Sequence, residues 1–373
     1  MQAVTTVFYI SGHGFGHASR EVEVINALGQ AGDCDIVVRS SVNPDLLRRT
    51  LRVPVELLPG ACDTGIIQTS SIANDRDATV GAALEFYGDF AAHVDAEIEI
   101  LAERDVQLVV GDVPPLAFAV AGRLQVPSVA LANFTWDWIY EEQPGFLPAG
   151  ATALELMRTC YRSATLALAL PYAGGFEVFP RVESIPMIAR HATQPREATR
   201  THFGIPLERR MALLSFGGYG LPALDLPAID VGPEWTIVTT DRVSRGDAGL
   251  AAHVHVLAEQ LFADSAFRYE DLVAAADVVV TKPGYGIITE CVSTGTAMLY
   301  TSRGDFREYA TLVAALPEVV RSQFIEQDDL LAGRWRDALE ALLAQPAPPP
   351  PPPLDGASVA AGILRQFLSR QRC

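Results

Sequence analysis

The sequence predicts an α/β protein with two Rossmann-like, doubly wound parallel-sheet domains that face each other across a cleft. Short apolar strands alternate with amphipathic helices, a pattern typical of parallel sheets covered by helices on both faces. The alternation starts again after a polar, proline-containing stretch at 189–206. A chain of 373 residues also exceeds the length at which a single hydrophobic core usually stops growing, which favours two domains.

The first domain is predicted over residues 1–188. Its strands are short apolar runs rich in β-branched residues, at 5–10, 35–40, 106–112 and 126–133. The spacing of apolar residues predicts helices at 18–32 and 77–104, and two prolines open a further helix at 114–124. Because these strands are apolar throughout rather than alternating, we expect both faces of their sheet to be buried.

The second domain is predicted over residues 189–345. Its expected strands lie at 211–218, 235–240, 277–284 and 296–302, and its expected helices at 286–295, 305–315 and 328–343. In open parallel sheets the ligand site lies at the carboxyl ends of the strands. With two such sheets, we expect the site in the cleft between them.

The last part of the chain is predicted to return to the first domain. Residues 346–354 contain the run PAPPPPPP and favour an extended polyproline strap. The helix predicted over 355–373 has one apolar face and is expected to pack back on the first domain. That face is formed by Val359, Ile363, Leu364 and Phe367. A disordered linker and an SH3-type ligand are the alternatives for the prolines.

Composition excludes several classes of partner. The 28 basic and 45 acidic residues give a formal charge of −17, which disfavours nucleic acid and anionic membrane surfaces. There is neither a signal-peptide pattern nor a run of about 20 apolar residues, so we expect a cytoplasmic protein that is not an integral membrane protein. The five cysteines have no paired spacing, which indicates neither a disulfide framework nor a zinc site.

A glycine-rich turn, SGHGFGHASR at 11–20, follows the first strand. Gly14 and Gly16 permit close approach of a ligand to the backbone, and the following helix begins with free N–H groups. The turn matches neither the dinucleotide fingerprint nor a Walker loop. His17 is predicted to face the cleft as a catalytic residue. His13 is a second catalytic candidate, and local capping or packing is its alternative.

Asp112 ends the strand predicted at 106–112, in the segment GDVPP. An acid at this position can reach a histidine on the neighbouring loop, hold its imidazole in one tautomer and stabilise the imidazolium. This chemistry suits a general base that deprotonates a hydroxyl. The alternative role for Asp112 is to cap the helix that the prolines begin.

A third group of residues lies in the second half and is predicted to bind a nucleoside diphosphate. Lys282, the only lysine in the chain, supplies a compact charge for phosphate, and Glu290 is placed to accept hydrogen bonds from a ribose diol. The other candidates for the diphosphate and nucleotide are Gly217, Gly218, Gly284, Tyr285, Gly286 and Thr289, together with Gly14 and Gly16. Arg303 and Asp305, after the next strand, are candidates for the donor sugar, with a helix N-cap as the alternative for Asp305.

An aromatic segment after the strand at 126–133 is predicted to bind the acceptor. The candidates in it are Asn133, Trp136 and Asp137. An indole ring can stack on a sugar or another ring, and the acid can bind its hydroxyls. Aromatic packing beneath a loop is the alternative.

These motifs resemble those of GT-B glycosyltransferases. GHGFGHASR, LVVGDVPP, NFTWDWIYEE and KPGYGIITE are similar, in this order, to the glycosyltransferase-like N-terminal region of plant arabinokinases and its bacterial relatives. The helix that carries Glu290 is also similar to that of MurG-type transferases, in which the matching glutamate binds the ribose of UDP. The resemblance implies that His17 is the base, that Asp112 is its partner and that no metal is needed.

The sequence therefore leads to one functional hypothesis and two alternatives. The main hypothesis is a metal-independent, inverting hexosyl- or pentosyltransferase that uses a nucleoside-diphosphate sugar, with UDP favoured, and a hydroxyl acceptor. It needs no cofactor beyond this substrate. The alternatives are a GT-B epimerase or hydrolase of sugar nucleotides, and a non-catalytic module that binds them.

Overall fold

The computed structural model describes residues 4–32, 34–217, 220–240, 253–262, 265–348 and 350–371. Within them, the first domain is built on a sheet of seven parallel strands in the order β3-β2-β1-β6-β7-β8-β9. These strands are β1 (Thr5–Tyr9), β2 (Asp35–Ser40), β3 (Glu56–Pro59), β6 (Val106–Gly111), β7 (Ser128–Phe134), β8 (Leu166–Gly174) and β9 (Val182–Ser184). A short antiparallel hairpin consists of β4 (Gln68–Ser70) and β5 (Ala73–Asn74).

The helices of the first domain surround this sheet. They are α1 (Phe15–Gly29), α2 (Pro44–Thr50), α3 (Arg76–Gly88), α4 (Phe90–Leu101), α5 (Pro115–Leu124), α6 (Trp136–Glu141) and α7 (Ala151–Arg162), with a 3-10 turn at Phe176–Val178. The single helix predicted over 77–104 was wrong, because the chain forms two helices there. Asp89, with φ −101° and ψ 17°, leaves the helical conformation and lies between them.

The second domain is built on six parallel strands in the order β12-β11-β10-β13-β14-β15. They are β10 (Arg210–Ser215), β11 (Trp235–Thr239), β12 (Val254–Val256), β13 (Val278–Thr281), β14 (Ala297–Tyr300) and β15 (Ser322–Phe324). The helices are α8 (Arg196–His202), α9 (Tyr269–Ala275), α10 (Tyr285–Thr294), α11 (Glu308–Val319), α12 (Gln327–Leu331) and α13 (Arg336–Leu343), with 3-10 turns at Leu226–Ala228 and Glu259–Phe262. The prediction of two parallel-sheet α/β domains is confirmed.

Both sheets are buried on both faces, as their continuous apolar strands predict. Successive residues of β1 belong to different hydrophobic clusters: Phe8 packs in one, and Val7 and Tyr9 pack in the other. In β10, Leu213 and Leu214 likewise point into different clusters. The faces of both sheets are therefore mainly apolar, and helices cover them on either side.

Apolar side chains pack across the boundary between the domains in both directions. Ile72, at the turn between β4 and β5, packs in the hydrophobic cluster of the second domain. In the other direction, Phe306 of the second domain packs in the aromatic cluster of the first. The hairpin is also bound to the second domain by polar contacts, since Ser71 Oγ donates a hydrogen bond to the carbonyl of Phe216 at 2.6 Å. The carboxyl ends of the two sheets thus meet in a closed cleft.

The C-terminal helix α14 (Gly356–Gln371) packs against α1 of the first domain. Its most deeply buried residues are Ala360, Ala361, Leu364 and Leu368, while Val359, Ile363 and Phe367 flank them and are only partly buried. The contact face is therefore centred one residue beyond the apolar face that the sequence indicates. Arg365 of α14 also donates a hydrogen bond to the carbonyl of Leu28 at the end of α1, at 3.2 Å.

Candidate active site

His17 and Asp112 form a buried pair at the carboxyl end of the first sheet. His17 lies in the first turn of α1, and Asp112 directly follows β6, the strand that neighbours β1. Nδ1 of His17 is 2.6 Å from Oδ2 of Asp112, and the two residues are only 6% and 2% exposed. The structure therefore brings together the two residues that the sequence proposes as base and partner.

The tautomer of His17 follows from the charge of its partner. Burial acts to raise the pKa of Asp112, but Arg20 and His17 outweigh it, and the pKa is lowered. An ionised carboxylate only accepts hydrogen bonds, so Nδ1 of His17 carries the proton and Nε2 keeps its lone pair. In the described part of the chain, no group forms a hydrogen bond with Nε2. This nitrogen can therefore accept a proton.

Arg20 lies one turn after His17 and holds the same carboxylate. Its Nη2 donates to Oδ1 of Asp112, and its Nη1 donates to Oδ1 of Asn133 at 2.6 Å. Burial acts to lower the pKa of Arg20, but Asp112 and Glu21 outweigh it, and the pKa is raised. Arg20 thus remains charged and fixes the second carboxylate oxygen, while the first binds His17.

His13 lies among aromatic rings instead of in the pair. Its ring is stacked on Phe306, with centroids 5.7 Å apart. Burial lowers the pKa of His13 well below its ordinary value, and His17, Arg303 and Lys282 act in the same direction. His13 is consequently neutral and packed. Its catalytic role stays a prediction.

Two cations and one carboxylate lie where β13 and β14 end. Arg303 is buried, and its Nη1 is 3.2 Å from Oε2 of Glu308 and 3.3 Å from the carbonyl of Pro283. Lys282 is half-buried, and no described residue pairs with its ammonium group. Burial lowers the pKa of Lys282 to about 7; Arg303 acts in the same direction and Glu308 opposes it. A single carboxylate beside two cations leaves a site suited to a dianion.

Helix α10 begins beside these cations and without a side-chain cap. Gly284 is its N-cap residue and offers no side chain, so the first amide groups of the helix remain available to an anion. Gly286 touches the first domain, because a Cβ there would lie 3.1 Å from Ser19 Oγ and 3.6 Å from Cα of Gly16. The two predicted glycine turns therefore meet across the domain boundary.

The remaining predicted residues of α10 point into the protein. Tyr285 is buried, and Thr289 donates a hydrogen bond to the carbonyl of Gly286 at 2.9 Å. Glu290 is buried and accepts from Nε of Arg190 at 2.7 Å. Arg190 also contacts Glu270, at 3.2 Å. One oxygen of Glu290 is thus already bound, and its role toward ribose stays a prediction that depends on the other oxygen.

The glycine turn after β10 is described only in part. Gly217 has φ 74° and Gly14 has φ 88°, backbone conformations that side chains other than glycine rarely adopt. Gly218 lies outside the described residues. The carbonyl of Phe216, just before the turn, is bound by the hairpin of the first domain, so the turn lies at the domain boundary.

Asp305 lies on the rim of the cleft. It forms an ion pair with Arg76 of the first domain, and both side chains are about half exposed. The backbone carbonyl of Asp305 accepts a hydrogen bond from Asn74 at 3.0 Å. The side chain of Asp305 is thus paired with Arg76, and its role toward a donor sugar stays a prediction.

The three predicted acceptor residues are all buried, and each is hydrogen-bonded within the protein. Trp136 Nε1 donates to Asp63 at 2.7 Å, and Arg158 donates to Asp137 at 3.0 Å. Asn133 bonds Arg20 through its oxygen, and its nitrogen donates to Glu308 of the second domain at 2.6 Å. Their roles toward an acceptor stay predictions.

Several residues of the site were missed by sequence reasoning. Arg20 could have been found, because it lies in the glycine-rich motif and three positions after His17, on the same helix face. Arg190 lies in the linker before α8, and Glu308 begins α11. No local pattern marks either residue. Asp63, whose pKa burial raises to about 6, lies in a loop and has no motif.

The described ranges contain neither a candidate metal site nor a membrane-spanning helix. Within them, no three His, Cys, Asp or Glu side chains are grouped so that they could hold a metal ion. Among the same residues, no helix is long and apolar enough to cross a membrane. The metal-free mechanism stays a prediction.

Comparison with known proteins supports the fold and a distant relationship. No family model matches the chain. It is 26% identical to L-arabinokinase of Arabidopsis thaliana over 98% of its own length, and it spans about a third of the length of that relative (34%). The resemblance of the sequence to plant arabinokinases is therefore confirmed.

Solved glycosyltransferases have the same architecture. The calicheamicin glycosyltransferase CalG4 superposes with a TM-score of 0.65 at 17% identity, covering 98% of each chain. SnogD from Streptomyces nogalater gives 0.57 at 18% identity, covering 99% of this chain and 96% of that one. VinC, solved in complex with DTDP, gives 0.56 at 17%, covering 99% and 95%. The protein thus has the GT-B fold of these glycosyltransferases.

Proposed function

We propose that the protein is a glycosyltransferase that moves a sugar from a nucleoside-diphosphate sugar to a hydroxyl acceptor, with inversion and without a metal. The observation that carries this proposal is the buried His17–Asp112 pair, 2.6 Å apart. Hydrogen bonds through Arg20, Asn133 and Glu308 connect this pair to Arg303 of the second domain. A base on one domain and an anion site on the other are the two parts that glycosyl transfer requires.

His17 is the proposed base. Its Nε2 takes the proton of the acceptor hydroxyl as the acceptor oxygen forms a bond to the anomeric carbon. The bond from that carbon to the diphosphate oxygen breaks, and its electron pair leaves with the diphosphate. One displacement from the opposite face inverts the anomeric configuration. Asp112 stabilises the imidazolium, and Arg20 keeps Asp112 in place.

The second domain is proposed to bind the leaving group. Lys282 and Arg303 supply positive charge, and the uncapped N-terminus of α10 supplies amide donors. Lys282 is well suited to this task because it is not paired with any described residue. A bound diphosphate would raise its pKa and make it fully charged. Preorganised donors of this kind can replace the charge that a metal supplies in other transferases.

For the donor and the acceptor, the proposal names chemical classes. The resemblance favours UDP, whereas the structural neighbour VinC was solved with DTDP, so both bases belong in the test. The transferred sugar is a hexose or a pentose, and the acceptor carries a hydroxyl group. The kinase activity in the name of the Arabidopsis relative belongs to a protein about three times as long and is not part of the proposal.

A two-step experiment tests the proposal. Thermal-shift screening against UDP, GDP and dTDP, and against their sugars, identifies the donor. The protein is then incubated with this donor and an acceptor library, products are detected by mass spectrometry, and NMR establishes the anomeric configuration. We expect an inverted glycoside that His17→Ala does not form. Free sugar or an epimerised donor without acceptor would indicate the hydrolase or epimerase, and binding without any reaction would indicate the binding module.

A further inference from the structure

A continuous series of buried polar contacts joins the His17–Asp112 pair of the first domain to the cations of the second. From Asp112 it passes through Arg20 to Oδ1 of Asn133, at 2.6 Å. Nδ2 of Asn133 donates to Oε1 of Glu308, also at 2.6 Å. Oε2 of Glu308 accepts from Arg303 at 3.2 Å. All five side chains are buried.

Arg20 and Glu308 determine how the amide group of Asn133 is oriented. The Arg20 guanidinium has only donors, so it requires the amide oxygen, and an ionised Glu308 has only acceptors, so it requires the amide nitrogen. Asn133 is 0% exposed, and water cannot replace either partner. A neutral amide between one positive and one negative group is therefore the residue type that fits, since an acid would repel Glu308 and an apolar side chain would leave both charges without a partner.

Glu308 has a second effect on the anion site. It opposes the lowering of the pKa of Lys282 and of Arg303 that burial produces. It thereby allows the two cations to lie side by side. Because the same carboxylate binds Asn133 through its other oxygen, the cations are tied to the first domain and do not merely rest against it.

This series of contacts crosses the domain boundary between Asn133 and Glu308. Asn133 is at the carboxyl end of β7 in the first sheet, and Glu308 begins α11 in the second domain. In the proposed reaction the base approaches from one domain and the leaving group departs on the other. An error of about 1 Å in such an alignment can reduce the rate about 100-fold.

We propose that Glu308 is a positioning residue that, with Asn133 as its bridge, holds the diphosphate-binding cations of the second domain in register with the His17–Asp112 pair. The inference rests on the proposed function. It differs from a role in folding alone because it requires that occupation of the anion site be transmitted to the first domain. Asn133 then acts between the domains, in addition to any contact with an acceptor.

Hydrogen exchange measured by mass spectrometry tests this transmission without turnover. UDP, and in parallel dTDP, is added to the wild type, to Asn133→Leu and to Glu308→Gln. In the wild type we expect the nucleotide to slow exchange in residues 283–290 and also in residues 13–20 of the first domain. In both variants we expect the first effect to remain and the second to be lost. Retained protection of 13–20 in both variants would overturn the inference.

Arg307→Gln is the matched control. Arg307 adjoins Glu308 and also crosses the boundary, but it pairs with Glu141 and Glu142 at 3.5 and 2.8 Å on the rim and stacks on Trp138. We expect this variant to keep protection in both segments. If Arg307→Gln also loses protection of residues 13–20, then any weakened contact between the domains removes this protection. The specific role of Glu308 would then be refuted.

A double-mutant cycle adds a kinetic test. Asn133→Leu and Glu308→Gln should each lower kcat about 10- to 100-fold and together be no worse than the worse single variant. Asn133→Leu should change the Kd for UDP far less than kcat, whereas Glu308→Gln also removes a charge that acts on Lys282. Losses that multiply, or an equal fall in kcat and affinity in Asn133→Leu, would overturn the inference. Glu308→Asp keeps the negative charge, so its kcat should be higher than that of Glu308→Gln.

The outcomes separate this inference from the proposed function. If neither nucleotide protects residues 283–290 of the wild type, the donor site is wrong and both proposals fail. If the nucleotide protects both segments in the wild type but no sugar is transferred, the transferase proposal fails, and the inference is then judged on the exchange data of the variants.

Discussion

Phe306 of the second domain stacks on His13 of the first, with ring centroids 5.7 Å apart and ring planes within 8°. It also meets Phe134 edge-on at 5.8 Å. Ile72 makes the reciprocal contact, since it leaves the first domain and is buried in the core of the second. Each domain therefore closes the cleft with an apolar side chain buried in its partner domain.

The reciprocal contacts of Phe306 and Ile72 predict what truncation of these two side chains will do. Phe306→Ala and Ile72→Ala each remove buried apolar surface, and each should lower the free energy of unfolding by about 2–4 kcal/mol in denaturant titrations. The double variant should also open the cleft, which would appear as a larger radius of gyration in small-angle X-ray scattering. Leu207→Ala, at an exposed position, is the control. An unchanged scattering curve for the double variant would show that other contacts hold the domains together.

Variants of the His17–Asp112 pair should lower turnover without weakening donor binding. His17→Ala and Asp112→Asn should lower kcat about 10²- to 10⁴-fold, because one removes the base and the other removes the charge that stabilises the imidazolium. The calorimetric Kd for the donor should stay nearly constant, since the anion site lies on the other domain. The exposed His191→Ala should behave as wild type. Retained turnover in His17→Ala would refute its assignment as base.

Lys282 predicts a pH dependence of donor affinity. Burial lowers the pKa of the free lysine to about 7, and a bound diphosphate should raise it. Below pH 7 the lysine is charged both with and without donor, so affinity should be constant and maximal. As pH rises through 7, binding must recharge the lysine, and affinity should fall by about tenfold over one to two pH units.

Calorimetry with a nucleotide sugar measures this dependence, because its diphosphate, esterified at both ends, does not titrate in this range. Lys282→Met should bind more weakly, and its affinity should be flat between pH 6 and 8.5. An equally steep decline in Lys282→Met would assign the titration to another group.

The buried Arg190 predicts a large loss of stability. It neutralises both Glu270 and Glu290, so Arg190→Met would leave the buried Glu290 without a cation and Glu270 with only Arg268, at 4.0 Å. The variant should cost about 3–5 kcal/mol in chemical denaturation. Arg76→Met removes only a half-exposed pair with Asp305 and should cost less than about 1 kcal/mol. Adding Glu290→Gln to Arg190→Met should restore part of the loss. Equal costs for the two arginine variants would contradict this account.

Much of the architecture follows from local pattern. Continuous apolar runs indicated buried parallel strands, and β2 matches the predicted strand at 35–40 residue for residue. The contact between His17 and Asp112 could be anticipated, because both follow strands whose carboxyl ends share one edge of the sheet. The two helices within 77–104 were missed, although Gly88, directly before the break at Asp89, is the local signal that could have indicated it.

The sequence by itself determined the two sheets, the turns at their carboxyl ends and the residue types offered to the cleft, because these depend on periodicity and on neighbouring strands. The tertiary structure alone decided which of those residues meet. Asn133 and Glu308 are 175 positions apart and touch only because the two domains close on each other. Periodicity indicates whether a side chain is buried, whereas its partner across the cleft depends on how the surfaces of the two domains fit together.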